Sequence, residues 1–357
     1  MNNKPAFSSS LIQPKTLAGL LVVLSVLAIT ACSSTPDRPE WLNNPESAYP
    51  AATHLSATGS ADDRQRASDR AISNLAKIFE VSVQERSTDF SSAQMNAGPG
   101  QLQITNEQRV TRAVSTETQQ VLQGARVVEY WDDNNNPGRV HALAVLAKQP
   151  AASRFRQSIL TSDREVKDLI RYASVTANNP ISALNALKRA RSAQIQRDQL
   201  NENLMIVADG QGVTGQYDQA AVDTLIRNAL GTLPITVQAD DPSVKAELQR
   251  ALTRLGVKTV AQSDYVLRGF ADLAPVSEQQ SWFWLRGSYE LMLQYQETVM
   301  AKKRWPVKIS AAEPGLLQQR ARDELNQKLP GHVFELLSSE PVENSGSENK
   351  KGRSVND

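Results

Sequence analysis

The chain opens on the apolar run Leu17-Ala-Gly-Leu-Leu-Val-Val-Leu-Ser-Val-Leu-Ala-Ile29, preceded by Lys4 and Lys15 with no acid before Asp37. Its 13 residues fall short of the roughly 20 that span a bilayer. A charged start, a short apolar middle and a small-residue exit describe a secretory signal. Residues 33–40 then read as a polar tether with two prolines. Trp41 is expected to anchor the first folded unit. Leu55-Ser-Ala-Thr-Gly59 predicts a short strand. A helix should follow to about Phe79, capped by Ser60 or Asp62, with Ala67, Ala71, Ile72, Leu75 and Ile78 at helical spacing. "FEVSVQ" alternates with a period of two and predicts a strand. Residues 90–103, with Gly98-Pro-Gly100, predict a long loop. A strand is expected from about Thr111 to Trp131, broken or bulged near Gly124. "DDNNNPG" is a turn signal, "RVHALAVLAK" completes a hairpin, and a helix from about Pro150 to Leu160 closes the unit.

The pattern then turns helical. One helix is predicted from Asp163 to about Ala177. A second starts at Pro180, where the missing N–H is harmless, and carries Ile181, Leu184, Leu187 and Ala190 towards Asn201. Together they predict a helical hairpin over 161–202. The last unit, 203–337, reads as β-α-β-α, several strands, then α. "LMIVA" and "PITVQA" are strands, "QAAVDTLIRNAL" and "SVKAELQRALTRLG" are helices, and Gly256 ends the second of these. "VKTV", "DYVLRGFADL", "FWLRGSYELMLQY" and "KRWPVKIS" are strands, and "GLLQQRARDELNQKL" is a closing helix. The tail from Ser338 is polar and expected to be disordered. The fold class is therefore α+β: a helix-on-antiparallel-sheet domain over 41–160, the hairpin, and an α/β domain with a mixed sheet.

Composition changes this picture at one residue. Cys32 is the only cysteine in 357 residues, so the chain forms no internal disulfide. Its setting, Ile29-Thr-Ala31-Cys32, resembles the bacterial lipobox. That resemblance implies cleavage after Ala31, a diacylglycerol on the Cys32 sulfur and an acyl chain on its new amine. The alternative is an uncleaved anchor or an ordinary exported cysteine. One acyl chain holds a membrane marginally, whereas two or more anchor stably. Ser33 stands where an aspartate would act as a retention signal in enteric-type sorting, which favours the outer membrane and its periplasmic face. Loss of the signal removes two lysines and leaves 37 basic against 38 acidic residues. This near-neutral balance offers no footprint for nucleic acid.

Several motifs invite chemistry. Gly210-Gln-Gly212-Val-Thr-Gly215 is a G-x-G-x-x-G, with Asp240 and Asp241 after the next strand. In a dinucleotide site the glycines admit the pyrophosphate and a helix N-terminus faces its charge. Here the helix is expected near Asp218, past the last glycine, and the later strands look antiparallel, so no nucleotide or other cofactor is expected. His54, His141 and His332 are the only histidines, lie far apart, and make a metal site improbable. No G-x-S-x-G elbow occurs. Asp132-Asp133 could serve a carboxylate mechanism on glycan or peptide, but acids in a hairpin turn usually serve turn geometry.

"SWFWLRGSYELMLQYQ" alternates more informatively. Phe283, Leu285, Tyr289, Leu291, Leu293 and Tyr295 fall on one face; Trp282, Trp284 and Met292 fall on the other, with Arg286 and Glu290. One face should pack the closing helix. The other is expected to pair with Trp305 of a neighbouring strand. Alternatively, Trp282, Trp284, Arg286 and Trp305 form a surface that grips a partner protein, since Trp and Arg favour interface hot spots.

The set Pro39-Glu40-Trp41, Tyr49-Pro50, Gly59, Asn74-Leu75-Ala76-Lys77 and the hairpin "VVEYWDDNNNPGRVHALAVL" resembles the Lpp-twenty lipoprotein family over about residues 39–160. The resemblance implies an envelope lipoprotein without known catalysis; some relatives serve outer-membrane parts of flagella. The last domain is similar in pattern to accessory domains of envelope lipoproteins that bind partner machines. The expectation is an outer-membrane lipoprotein, held by lipid on Cys32, with a non-enzymatic binding or scaffold role towards an envelope protein, in flagellar or secretion-type assemblies. The alternatives are a periplasmic enzyme using carboxylates and a purely structural lipoprotein.

Overall fold

The computed structural model describes residues 38–94 and 122–340, with the backbone alone for 80–94. Cys32, its signal and most of the C-terminal tail lie outside the described residues, as do residues 95–103 of the loop expected over 90–103 and residues 111–121 of the expected strand; residues 90–94, expected in that loop, are helical instead.

Strand β1 (His54–Ala61) leads into helix α1 (Arg64–Gln94), and β2 (Arg126–Asp132) and β3 (Val140–Ala147) form the hairpin. The sheet runs β1-β3-β2, antiparallel throughout. Central β3 is apolar on both faces because both are covered. Ala142, Ala144 and Leu146 meet α1. Leu143 and Val145 meet Trp41, which is 7% exposed and sits in a short 3-10 turn (Glu40–Leu42). Residues 122–124 form a turn ending at Gly124, φ +90°, just before β2 begins, and a register shift within the strand falls between Val127 and Glu129.

Two expectations for this unit are corrected. The cap of α1 is Asp63, whose Oδ1 accepts the Arg66 backbone N–H at 2.9 Å, not Ser60 or Asp62. That bond and the adjacent Arg66 guanidinium hold the Asp63 carboxyl below its ordinary range. "FEVSVQ" continues α1 instead of forming a strand. A six-residue alternation is a weak signal, and each valine costs a helix at most about 0.7 kcal/mol.

Helix α2 (Lys148–Arg171) runs through the positions expected to separate two helices, ends in a π-type turn (Tyr172–Thr176), and returns as α3 (Pro180–Val207). Asn179 caps α3 by accepting the Ser182 N–H at 2.8 Å, ahead of Pro180 in its first turn. "LMIVA" is the last turn of α3, not a strand. A five-residue apolar run does not distinguish the two by period. Its neighbours decide: Leu200, Leu204 and Val207 repeat at helical spacing and are all buried.

The second unit comprises α4 (Gln219–Gly231), β4 (Pro234–Ala239), α5 (Pro242–Arg254), β5 (Lys258–Thr259), β6 (Tyr265–Leu273), β7 (Ser277–Gln279), β8 (Trp282–Tyr295), β9 (Thr298–Ala311) and α6 (Pro314–Leu337). It therefore opens on a helix, where β-α-β-α was expected. Strand β4 is parallel to β5 and β6; β8 is antiparallel to β6, β7 and β9. Gly256, with φ +76°, ends α5 as expected. Pro330 lies inside α6 and has no N–H for the Asn326 carbonyl. Arg254 Nη1 donates to that carbonyl instead, at 2.6 Å.

The hairpin α2/α3 serves both cores. Phe155, Ile159, Leu200 and Leu204 belong to the core under the first sheet. Val166, Ile170, Ile181, Leu184 and Leu187 belong to the core under the second. Both helices cross the expected boundaries at 160 and 202. Ser338, placed in the expected tail, is fully buried as the cap of α6, and its carbonyl accepts Asn185 Nδ2 at 2.9 Å.

Candidate partner-binding surface

The pairing register of β8 sorts its side chains into two faces. Leu285, Tyr289, Leu291 and Leu293 sit opposite Ile309, Trp305, Lys303 and Ala301 of β9. This face packs on α5 and α6. Trp284, Arg286, Glu290 and Met292 sit opposite Ser310, Lys308, Arg304 and Lys302, on the other face. Two local devices set this arrangement. Gln280 and Ser281 both adopt left-handed backbone, with φ +51° and +62°, and form the two-residue turn that starts β8 at Trp282. At Gly287 a Cβ would lie 2.2 Å from the Asp272 carbonyl oxygen, so only glycine lets β6 end there.

The second face carries aromatic and cationic side chains in the open. Trp282 is 45% exposed and Phe270 of β6 38%. Two of its cations are neutralised on the sheet: Lys302 pairs with Glu290 at 2.9 Å, and Arg304 with Asp272 at 3.2 Å. Arg286 and Lys308 are not. They stand directly opposite each other in the ladder, an unfavourable placement for like charges. Both lean on one ring: the Arg286 guanidinium is 4.7 Å and the Lys308 Nζ 5.7 Å from the Trp284 centroid. Among the described residues neither has a carboxylate partner. Arg286 donates one long hydrogen bond, 3.4 Å, to Gln279 Oε1.

Trp305 does not join this surface. It lies on the covered face, opposite Tyr289, and stacks flat on His332 of α6 at 4.5 Å and 9°. The Tyr289 hydroxyl is hydrogen-bonded to His332 Nδ1. The expectation that Trp305 completes the Trp282/Trp284 face fails because paired β9 residues share parity with β8, and 305 is odd. Burial raises the Tyr289 phenol well above its ordinary value and lowers the His332 imidazole. Trp282, Trp284 and Arg286 lie on one face of β8. Lys308 was missed; its signal was the in-register pairing, which the sequence does not display.

The other motifs resolve into structure. The glycine-rich loop follows helix α3, not a strand, and closes over a polar cluster. Arg197, 4% exposed, donates to Asp163 at 3.0 Å and to the Val213 carbonyl at 2.6 Å. Asn201 Oδ1 accepts the Val213 N–H at 2.7 Å. A Cβ on Gly212 or Gly215 would press on Asn201 or Arg197, about 3 Å away. The Asp218 carboxylate caps α4 through the Ala221 N–H, putting negative charge where a phosphate would bind. Asp132 pairs with Arg64 at 3.0 Å, and Asp133 accepts the Asn135 N–H in the turn at 2.9 Å. His54 packs edge-on to Tyr49, and His141 packs on Trp131. Burial lowers the His141 pKa. Among the described residues no helix is long and apolar enough to cross a membrane, and no cluster of three or more His, Cys, Asp or Glu could hold a metal.

The first unit resembles a known family. Residues 39–147 match the family model of the LPP20 lipoprotein. The matched region covers the 3-10 turns, β1, α1 and the β2–β3 hairpin. Similar solved structures include a minor lipoprotein from Acinetobacter baumannii, at 15% identity and TM-score 0.24, covering 29% of this chain and 90% of that one. A secreted protein from Helicobacter pylori aligns at 13% identity and TM-score 0.39, covering 80% of this chain and 97% of that one. Uncharacterized lipoprotein B from Nitrosomonas europaea aligns at 12% identity and TM-score 0.21, covering 30% and 80%. Comparison with curated proteins finds no match.

Proposed function

We propose that the protein is an outer-membrane lipoprotein, anchored through Cys32 on the periplasmic face, that acts without catalysis by binding an envelope protein. Flagellar and secretion-type assemblies are the processes that fit this reading. The observation that carries it is the open face of β8 and β9. There, Trp282, Arg286 and Lys308 are exposed and Trp284 lies half-buried beneath the two cations, while the opposite face of the same strands packs on α5 and α6. A tethered protein explores a thin layer at high effective concentration, so a modest surface affinity suffices. The non-catalytic reading is supported by the carboxylates that invite acid–base chemistry, since Asp132 is held in an ion pair and Asp133 in a turn.

The test combines fractionation with crosslinking in intact cells. The wild-type chain should float with outer membranes, and Cys32→Ala should accumulate as an unlipidated precursor. A photo-crosslinking residue at Trp282 should yield a discrete protein adduct that the same residue at exposed Arg322 of α6 does not. Normal fractionation of Cys32→Ala would contradict the anchor. Identical adducts, or none, from both positions would sink the binding surface.

A further inference from the structure

The Arg286–Lys308 pair has a chemical meaning of its own. Directly opposed like charges destabilise an antiparallel pair, and sheets normally relieve them with a neighbouring acid. The same two strands do so for Lys302 and Arg304, through Glu290 and Asp272. Among the described residues neither Arg286 nor Lys308 is in an ion pair, the Asp272 carboxylate being taken by Arg304, and the two cations converge on the Trp284 ring. A carboxylate placed between them would relieve the repulsion and gain charge-assisted hydrogen bonds. Anionic groups at this spot complement a face that otherwise carries surplus positive charge.

The ring geometry narrows the ligand. A sugar would need the bare face of an indole to stack on, but both cations approach the Trp284 ring within 6 Å of its centroid, the range of a cation–π contact. The uncapped apolar groups are Trp282 and Phe270, which flank the pair on β8 and β6. Extended protein chain repeats its side chains every second residue, as the strands beneath do. We propose that the Arg286–Lys308–Trp284 cluster binds an acidic, extended segment of a partner protein, with a carboxylate between the two cations and apolar side chains on Trp282. This rests on the partner-binding reading above and names the chemistry of the partner.

The experiment uses the purified mature chain and a short fluorescent peptide of alternating glutamate and valine. Saturable binding should weaken with added salt and fall by about tenfold in Arg286→Glu/Lys308→Glu. Arg322→Glu should change it little. Lys substitution of the peptide glutamates should abolish binding to the wild type and restore it to the double variant, a result that unfolding cannot imitate. Polygalacturonate and vesicles containing phosphatidylglycerol are the competing anions. If either binds the cluster as well as the peptide does, or if the double variant binds the acidic peptide like wild type, the proposal is wrong. Persistence of the Trp282 adduct in cells alongside such a failure would keep the surface and discard only its acidic ligand.

Discussion

At the residue scale, the most constrained position of the LPP20 region is Gly59. A Cβ there would lie 2.2 Å from the Ala71 nitrogen and 2.7 Å from the Ala67 oxygen. Both are backbone atoms of α1, so no side chain can rotate away. Strand and helix touch through this hydrogen-only surface, with Ala67 and Ala71 as the small residues opposite. Gly59→Ala must separate the two elements. It should destabilise the protein by about 3 kcal/mol, the upper part of the overpacking range. A fall in the urea midpoint with an unchanged denaturant slope would verify this; a neutral substitution would refute the close contact. The glycines at 212 and 215 serve similarly, admitting the loop against half-buried Asn201 and buried Arg197.

At the element scale, α6 couples a helix to the sheet through one histidine. His332 is sandwiched with Trp305 and bonded to Tyr289. Charged groups near it on its own helix are Glu335, which favours the imidazolium, and Lys328, which opposes it. Across the interface Lys303 of β9 is bonded to Glu335 at 2.8 Å. Burial outweighs these and lowers the His332 pKa, so the neutral ring is the folded form. Between the folded and unfolded pKa values the unfolded chain then holds more protons, and stability rises with pH. The contribution is complete above the unfolded value of about 6.5 and is lost as the pH falls through the lower folded value. His141 acts in the same direction in the first unit. Unfolding free energy should therefore decline from about pH 7.5 to about pH 5.5, before the carboxylates titrate. His332→Gln should flatten part of that slope, which urea titrations at the two pH values would measure. An unchanged slope would contradict the burial of a neutral ring.

At the scale of the whole molecule, α2 and α3 are shared walls rather than a spacer. The same α3 buries Leu184 under the second sheet and Leu204 under the first. Arg197, between them, ties α3 to Asp163 of α2 and to the loop before α4. We propose that the described units unfold together, because neither retains a complete core without the hairpin. Leu184→Ala and Leu204→Ala should each cost about 2–5 kcal/mol and lower the midpoint of one common calorimetric transition. Two separable transitions, each sensitive to only one substitution, would show that the units are independent.

The one-dimensional pattern determined whatever depends on neighbours along the chain. Asn179-Pro180 and Gly256 punctuate helices by their own backbone chemistry. "DDNNNPG" makes its turn, and the alternation of β8 separates its two faces. The family likeness and the isolated Cys32 were equally legible, since each is a local string. What only the tertiary structure decided depends on partners distant in sequence. "FEVSVQ" and "LMIVA" became helix because the periodicity of their flanks outweighs five or six ambiguous residues. The side on which Trp305 lies follows from its pairing with Tyr289, which the sequence does not display. The opposed Arg286 and Lys308 share no sequence window, so their unrelieved repulsion arises only when β8 and β9 pair. Local propensity fixes where elements begin and end, whereas the charge a surface presents is set by register.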